Sequence, residues 1–170
     1  MKLSLHLVIL FFLTIAQFSA KAQDFEVPKS IPTTKEEFVS SEKDMINAAK
    51  WLESNAIGSQ MDKRITVNAW VIAWITSSPT VTVELGSSIT KLFEKNPHLL
   101  GVYLASYARF CLENNYSKDQ LQTNMFALKS VITNYALGGD LKKDKNLQKV
   151  IDADKEGKLE DWVRQAISKK

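Results

Sequence analysis

The nine residues Val67-Asn68-Ala69-Trp70-Val71-Ile72-Ala73-Trp74-Ile75 contain one strongly polar side chain and no charge. After the charged turn of Asp62, Lys63 and Arg64 they read as a helix over 61–76, which Ser78-Pro79 then stops. Apolar residues on nearly every face predict that this helix is central and buried, with Trp70 and Trp74 in the core. A helix of that kind needs others packed round it, and the flanking sequence is punctuated to provide them.

Upstream, Thr34-Lys35-Glu36-Glu37 is a capping box: the Thr oxygen can accept from the third helical amide while Glu37 reaches back to the cap amide. Phe38, Met45, Ala49 and Leu52 continue the helical stripe to about residue 55, and Gly58 ends it. Residues 23–33, with Pro28 and Pro32, read as an extended linker. Downstream, Pro79 suits a first helical position. The run Thr80-Val81-Thr82-Val83 is β-branched and strand-like, yet Leu85, Ile89, Leu92 and Phe93 keep helical spacing and no second strand offers a partner. A helix to residue 95 is therefore expected. Asn96-Pro97 opens another over 99–113, and Ser117-Lys118-Asp119-Gln120 reads as a second capping box opening 121–137, closed by Gly138-Gly139. Leu147, Val150 and Ile151 mark a short helix, and Leu159, Trp162, Val163, Ala166 and Ile167 an amphipathic one.

The fold expected is all-α, a compact bundle of about six or seven helices built from antiparallel helical hairpins, forming one domain over 34–170. The alternative is an irregular helical-repeat array, because pairs over 61–95, 97–137 and 144–168 have hairpin-repeat lengths; they share no aligned anchor positions.

Ahead of the domain, Met1-Lys2 and a mostly apolar run over 3–18, followed by Ser19-Ala20-Lys21-Ala22, read as a secretory signal over 1–22, cleaved near Ala22. The run falls short of the roughly 20 apolar residues that span a bilayer, so no transmembrane segment is expected once it is removed. The destination would be the periplasm or the medium. The 170 residues hold 22 Lys+Arg against 19 Asp+Glu, with 45% hydrophobic residues and 6 Gly. That excludes collagen-like and disordered chains. Lys2 and Lys21 leave with the signal, so the remaining chain is close to neutral and attraction to nucleic acid is not expected.

The chemistry is bounded first by what is missing. Outside the signal there is one His, His98, and one Cys, Cys111, too few for a zinc site of His and thiolate ligands. His98 lies at a helix start with no nucleophile motif beside it, and Cys111 within Ala108-Arg109-Phe110-Cys111-Leu112 reads as a buried small hydrophobe. Ser88-Ile89-Thr90-Lys91 matches Ser-x-x-Lys, but so does Ser40-Ser41-Glu42-Lys43, and the Ser-Asp-Asn and Lys-Thr-Gly partners are absent. Asp152-Ala153-Asp154-Lys155-Glu156-Gly157 has oxygens at positions 1, 3 and 5 and Gly at 6 of a calcium loop, with Asp152, Asp154 and Glu156 as candidate ligands. Position 12, where a bidentate Glu belongs, is Val163, so a helix corner capped by Gly157 is favoured. No metal and no cofactor is expected.

What remains is a set of polar and aromatic residues in apolar surroundings. Glu84, Arg109 and Asn68 are each isolated among apolar neighbours, and burial of a charge costs several kcal/mol without a partner; pairing of Glu84 with Arg109 is expected, and the cluster is a candidate ligand pocket. Trp51 and Trp162 sit on amphipathic helices and are candidates to border a binding groove. Lys142, Lys143, Lys145 and Lys149 read as a solvated basic loop, and Asn115-Tyr116-Ser117 fits a glycosylation acceptor.

The Ala22-Gln23 junction, the Trp-rich helix over 61–76, the Asn96-Pro97 start and the ending from Lys158-Leu159 to Val163 together resemble the small uncharacterised all-helical exported proteins of Bacteroidetes-type bacteria. The resemblance covers most of the chain after the signal and implies no activity. Three function classes follow: an exported interaction module that binds another protein of the envelope or medium; a carrier holding a small ligand between apolar helices; and a hydrolase-type enzyme drawing on a carboxylate pair, Glu84 first.

Overall fold

The computed structural model describes residues 25–168; the signal segment expected over 1–22 lies outside them. Seven α-helices follow in order: α1 Lys35–Ser54, α2 Met61–Ser77, α3 Ser87–Thr90, α4 His98–Glu113, α5 Gln120–Ala136, α6 Lys145–Lys155 and α7 Leu159–Ser168. A 3-10 turn, Lys91–Phe93, continues α3. No strand forms among the described residues; the nearest thing to one is an isolated bridge between Ile57 and Gly139. The all-α bundle expected from the sequence is the fold observed.

The central helix is α4. Leu99, Val102, Tyr103, Ala105, Tyr107 and Ala108 are all buried on it, and it packs against α1, α2, α5 and the 3-10 turn. Small residues help here: at Gly101 an added Cβ would lie 2.1 Å from Asn68 Oδ1, so any larger residue would force the Asn68 side chain of α2 to move. Meanwhile α5 touches α1 and α7, and α7 touches α3. Contacts between elements so distant in sequence close the bundle, whereas in an array each unit meets only its neighbours.

Three expectations are corrected here. First, α2 is not central. Its inner face of Arg64, Val67, Trp70, Val71 and Trp74 is buried, but Ile65 is 56% and Ile72 47% exposed. An absence of charge on the outer face therefore reflects that face's surface chemistry and not burial. Second, residues 79–80 bend and 81–86 form neither helix nor strand, so no helix runs from Pro79 to 95. Ser78 Oγ accepts hydrogen bonds from the Thr80 and Val81 amides at 3.3 and 3.1 Å, turning the chain out of α2 where β-branched residues keep it extended. Helix resumes only after Gly86, burying Ile89, Leu92 and Phe93 and leaving Leu85 39% exposed. Third, residues 25–33 form no helix or strand, bend at 29–30, and are not a free linker. Phe25 packs on Trp70, ring centroids 6.4 Å apart, Pro32 is buried, and the Trp70 indole donates to Ser30 O at 3.1 Å.

Caps follow the sequence where both partners are local. At Thr34 the box forms as expected, Glu37 N donating to Thr34 Oγ1 and Thr34 N to Glu37 Oε2, both at 3.2 Å. At α5 the box is displaced: Asp119, not Ser117, is the cap and accepts from Gln122 N at 3.1 Å. Asn96 does not cap α4 at all. Its amide donates to Lys142 O at 2.9 Å and accepts from Lys142 N at 2.7 Å, fastening the loop before α6, while Asp144 caps α6. Gly157, with φ +71°, ends α6 as the left-handed residue foreseen.

The end of α1 is closed by tertiary contacts. Asn134 of α5 directs its amide nitrogen at the carbonyls of Leu52, Glu53 and Asn55, at 3.0, 3.0 and 2.8 Å. The fully buried Arg64 donates to the Asn55 carbonyl from the other side, and its guanidinium lies 5.6 Å from the Trp51 ring centre. Burial pushes the Arg64 pKa down, and these carbonyl dipoles and the ring face offset part of the cost of holding its charge inside.

Candidate functional site

Part of the charge-free run from Ile65 to Val83 lines a groove at the surface. As α2 ends, its residues Ile72, Ile75 and Thr76 form one wall of a groove; the extended Val81, Thr82, Val83 and Leu85 form the other, and Leu104 of α4 the floor. The groove holds about 390 Å³. Its walls exist because Ser78 and Pro79 turn the chain alongside the helix it has just left, so that two apolar edges run side by side. Ile72 and Leu85 face solvent here. No residue lining the groove is charged; the one charge on its extended side, Glu84, lies exposed between Val83 and Leu85 outside the lining.

Two further clefts among the described residues have comparable size. One, about 410 Å³, lies between residues 28–33 and α1 and includes Glu37, Asp44 and the edge of Trp70. Glu37 is already committed: its Oε2 accepts from Thr33 N at 2.7 Å, from Thr33 Oγ1 at 2.9 Å and from Thr34 N. These donors hold its carboxyl below the usual carboxylate value and suit it to capping more than to proton transfer. The other, about 380 Å³, is bordered by Phe25, Val27, Lys63 and Thr66.

The residues singled out from sequence are not brought together. Arg109 pairs with Glu53 of α1, Nη1 to Oε2 2.5 Å, and with Glu113 at 3.0 Å. Ser106 Oγ donates to the other oxygen of Glu53 at 2.8 Å. Glu84 is exposed in the extended segment, where its charge helps raise the Tyr107 pKa, so the expected pairing with Arg109 is corrected to Glu53. Asn68 is half-buried against Gly101, its Oδ1 without a hydrogen-bond partner among the described residues. Trp51 is corrected too: at 3% exposure it is core and borders no groove, its ring faced by Lys63 and Arg64. Trp162 is half-buried and borders a small cleft of about 90 Å³ with Ser88, Gln165 and Ala166.

Asp152, Asp154 and Glu156 do not form a calcium loop. Asp152 and Asp154 lie within α6, where helical geometry fans their carboxylates apart; Asp152 accepts from Gln148, and Glu156 pairs with Lys158 at 2.7 Å. No cluster of three or more His, Cys, Asp or Glu able to hold a metal occurs among the described residues. Cys111 is buried, and desolvation pushes its thiol pKa up. His98 is the first residue of α4. No described helix is long and apolar enough to cross a membrane.

The groove itself was not foreseen from sequence. Its signal is the run of 19 residues over 65–83 without a charge, of which the helical part alone reads as interior. Compared with known proteins, the chain matches no family model, no curated protein and no solved structure.

Proposed function

We propose that the chain is an exported protein-interaction module that docks a partner polypeptide of the envelope or medium in the groove between α2 and residues 81–85. The single observation that carries this reading is the presentation of Ile72 and Leu85 to solvent, 47% and 39% exposed, on the two sides of an uncharged groove. Apolar surface of this kind gains about 25 cal/mol per Å² when covered, and none of the residues lining the groove is charged. Export rests on the N-terminal segment: a basic start, an apolar centre over 7–13 and small residues before Gln23.

The test is capture by the tagged protein from envelope and culture-medium fractions, run beside Ile72→Glu and competed with untagged protein. A partner retained by wild type, displaced by competitor and lost on Ile72→Glu is the expected result. Identical capture by both forms overturns docking at the groove. A volume of about 390 Å³ also lies in the range of small-ligand sites, which favours the carrier as second reading; a compound retained through purification and displaced in Ile72→Glu would support it.

A further inference from the structure

Resting on the groove being the docking surface, we infer that its occupant is an extended, uncharged polypeptide segment that adds as a strand alongside residues 82–85. The chain here is already strand-like. Residues 79 and 80 bend, 81–86 form no helix, and Gly86 has the extended dihedrals φ −74° and ψ 158°, with Val81 buried, Thr82 exposed and Val83 half-buried in alternation. At one end the Thr80 and Val81 amides are taken by Ser78 Oγ; at the other, Gly86 O accepts from the amides of Ile89 and Thr90 at 3.0 and 3.1 Å. Between them, the main-chain N–H and C=O groups of Thr82, Val83 and Leu85 make no hydrogen bond among the described residues. A β-branched strand with unused main-chain groups is a template for another strand.

The size of the surface selects the same occupant. Large exposed apolar side chains on and beside α2 amount to Ile65, Ile72 and Leu85, well short of the roughly 800 Å² per partner that a stable globular interface buries. An added strand draws its affinity from main-chain hydrogen bonds and needs only pockets for alternate side chains. The groove provides that pocket between Ile72, Ile75 and Leu104. The residues that line it are uncharged, with Glu84 of the same segment exposed outside the lining, so the side chains entering the pocket are apolar and uncharged.

The test begins with selection of a displayed library of random linear heptapeptides on the purified protein. The best binder is then made as a capped peptide, with and without N-methyl groups on alternate amides. Expected are three results: binding lost in Ile72→Glu; at least about fivefold weaker binding when the pairing amides are methylated, the worth of one or more net hydrogen bonds; and at least tenfold slower amide exchange on one strand edge, either Thr82 or Val83 with Leu85. A binder that needs Ile72 but ignores methylation and leaves those exchange rates unchanged overturns strand addition while leaving the groove as the docking surface. Failure to select any binder, or selection of binders indifferent to Ile72→Glu, overturns both. Concentration-dependent protection of the same amides without peptide, with a doubled mass by ultracentrifugation, replaces the foreign segment by a second copy and overturns the inference as stated.

Discussion

Replacing Asn134 by Ala removes the group that closes the C-terminal end of α1. In the native structure one amide nitrogen serves the carbonyls of Leu52, Glu53 and Asn55 within 3.0 Å, and the side chain is fully buried. No basic residue lies in the last turn of α1 to take its place. The Asn55 carbonyl keeps Arg64 as a donor after the change, so the loss falls mainly on Leu52 and Glu53. Each buried acceptor left unpaired costs about 1–3 kcal/mol, and a loss of about 2–4 kcal/mol is expected. For a domain of this size each kcal/mol lowers Tm by about 2–4 °C, giving a drop of roughly 4–16 °C. Urea unfolding followed by circular dichroism measures it, with Thr133→Ala, one residue away and exposed, as the control expected to stay within about 0.5 kcal/mol. If Asn134→Ala is as mild as Thr133→Ala, α1 is not held by this amide and the tertiary closure of the helix is wrong.

Gly139 has φ +102°, and an added Cβ would lie 1.8 Å from the Ile57 carbonyl, whereas at Gly138, with φ +76°, a Cβ meets open space. Gly138→Ala is therefore expected to cost about 1–2 kcal/mol of left-handed strain, and Gly139→Ala at least about 3 kcal/mol by also breaking the Asp140 N to Ile57 O bond, both read by urea midpoints. Burial pushes the Tyr107 pKa from 10.0 to about 12 and raises that of Tyr103 as well. The folded protein thus holds these protons more tightly than the unfolded chain: their contribution is complete below pH 10 and declines as pH rises toward 12, on the order of 2 kcal/mol for Tyr107. Unfolding midpoints at pH 9 and pH 11.5 should show that decline, reduced in Tyr107→Phe. A double-mutant cycle on Glu53→Gln and Arg109→Met should give a coupling of about 1–3 kcal/mol, because the pair is largely buried. The corresponding cycle on Glu84→Gln and Arg109→Met should give none.

Features legible in the sequence are those whose physics is local. The Thr34–Glu37 box closes over three residues, Gly157 needs only its own backbone freedom, and the stripe of Leu159, Val163 and Ala166 has one buried face because the helix period dictates it. Residues whose role depends on a distant partner were not legible. Asn134 meets α1 across 79 to 82 residues, Asn96 meets Lys142 across 46, and Arg109 meets Glu53 across 56; side-chain type alone does not name such partners. In α2 the pattern pointed the wrong way, since a helix lacking charge can be apolar because it is interior or because its outer face is used for contact. Trp51 shows the converse, an aromatic on an amphipathic helix drawn inside because Lys63 and Arg64 cover its ring.

The affinity of the captured partner, measured by calorimetry for wild type, Ile72→Glu and Val39→Glu, tests docking at the groove most directly. Both positions are about half exposed, so neither change disturbs the core, and unfolding midpoints should match. The result expected is at least tenfold weaker binding for Ile72→Glu and unaltered binding for Val39→Glu. Equal affinity for all three forms would contradict the groove as the site where this protein meets its partner.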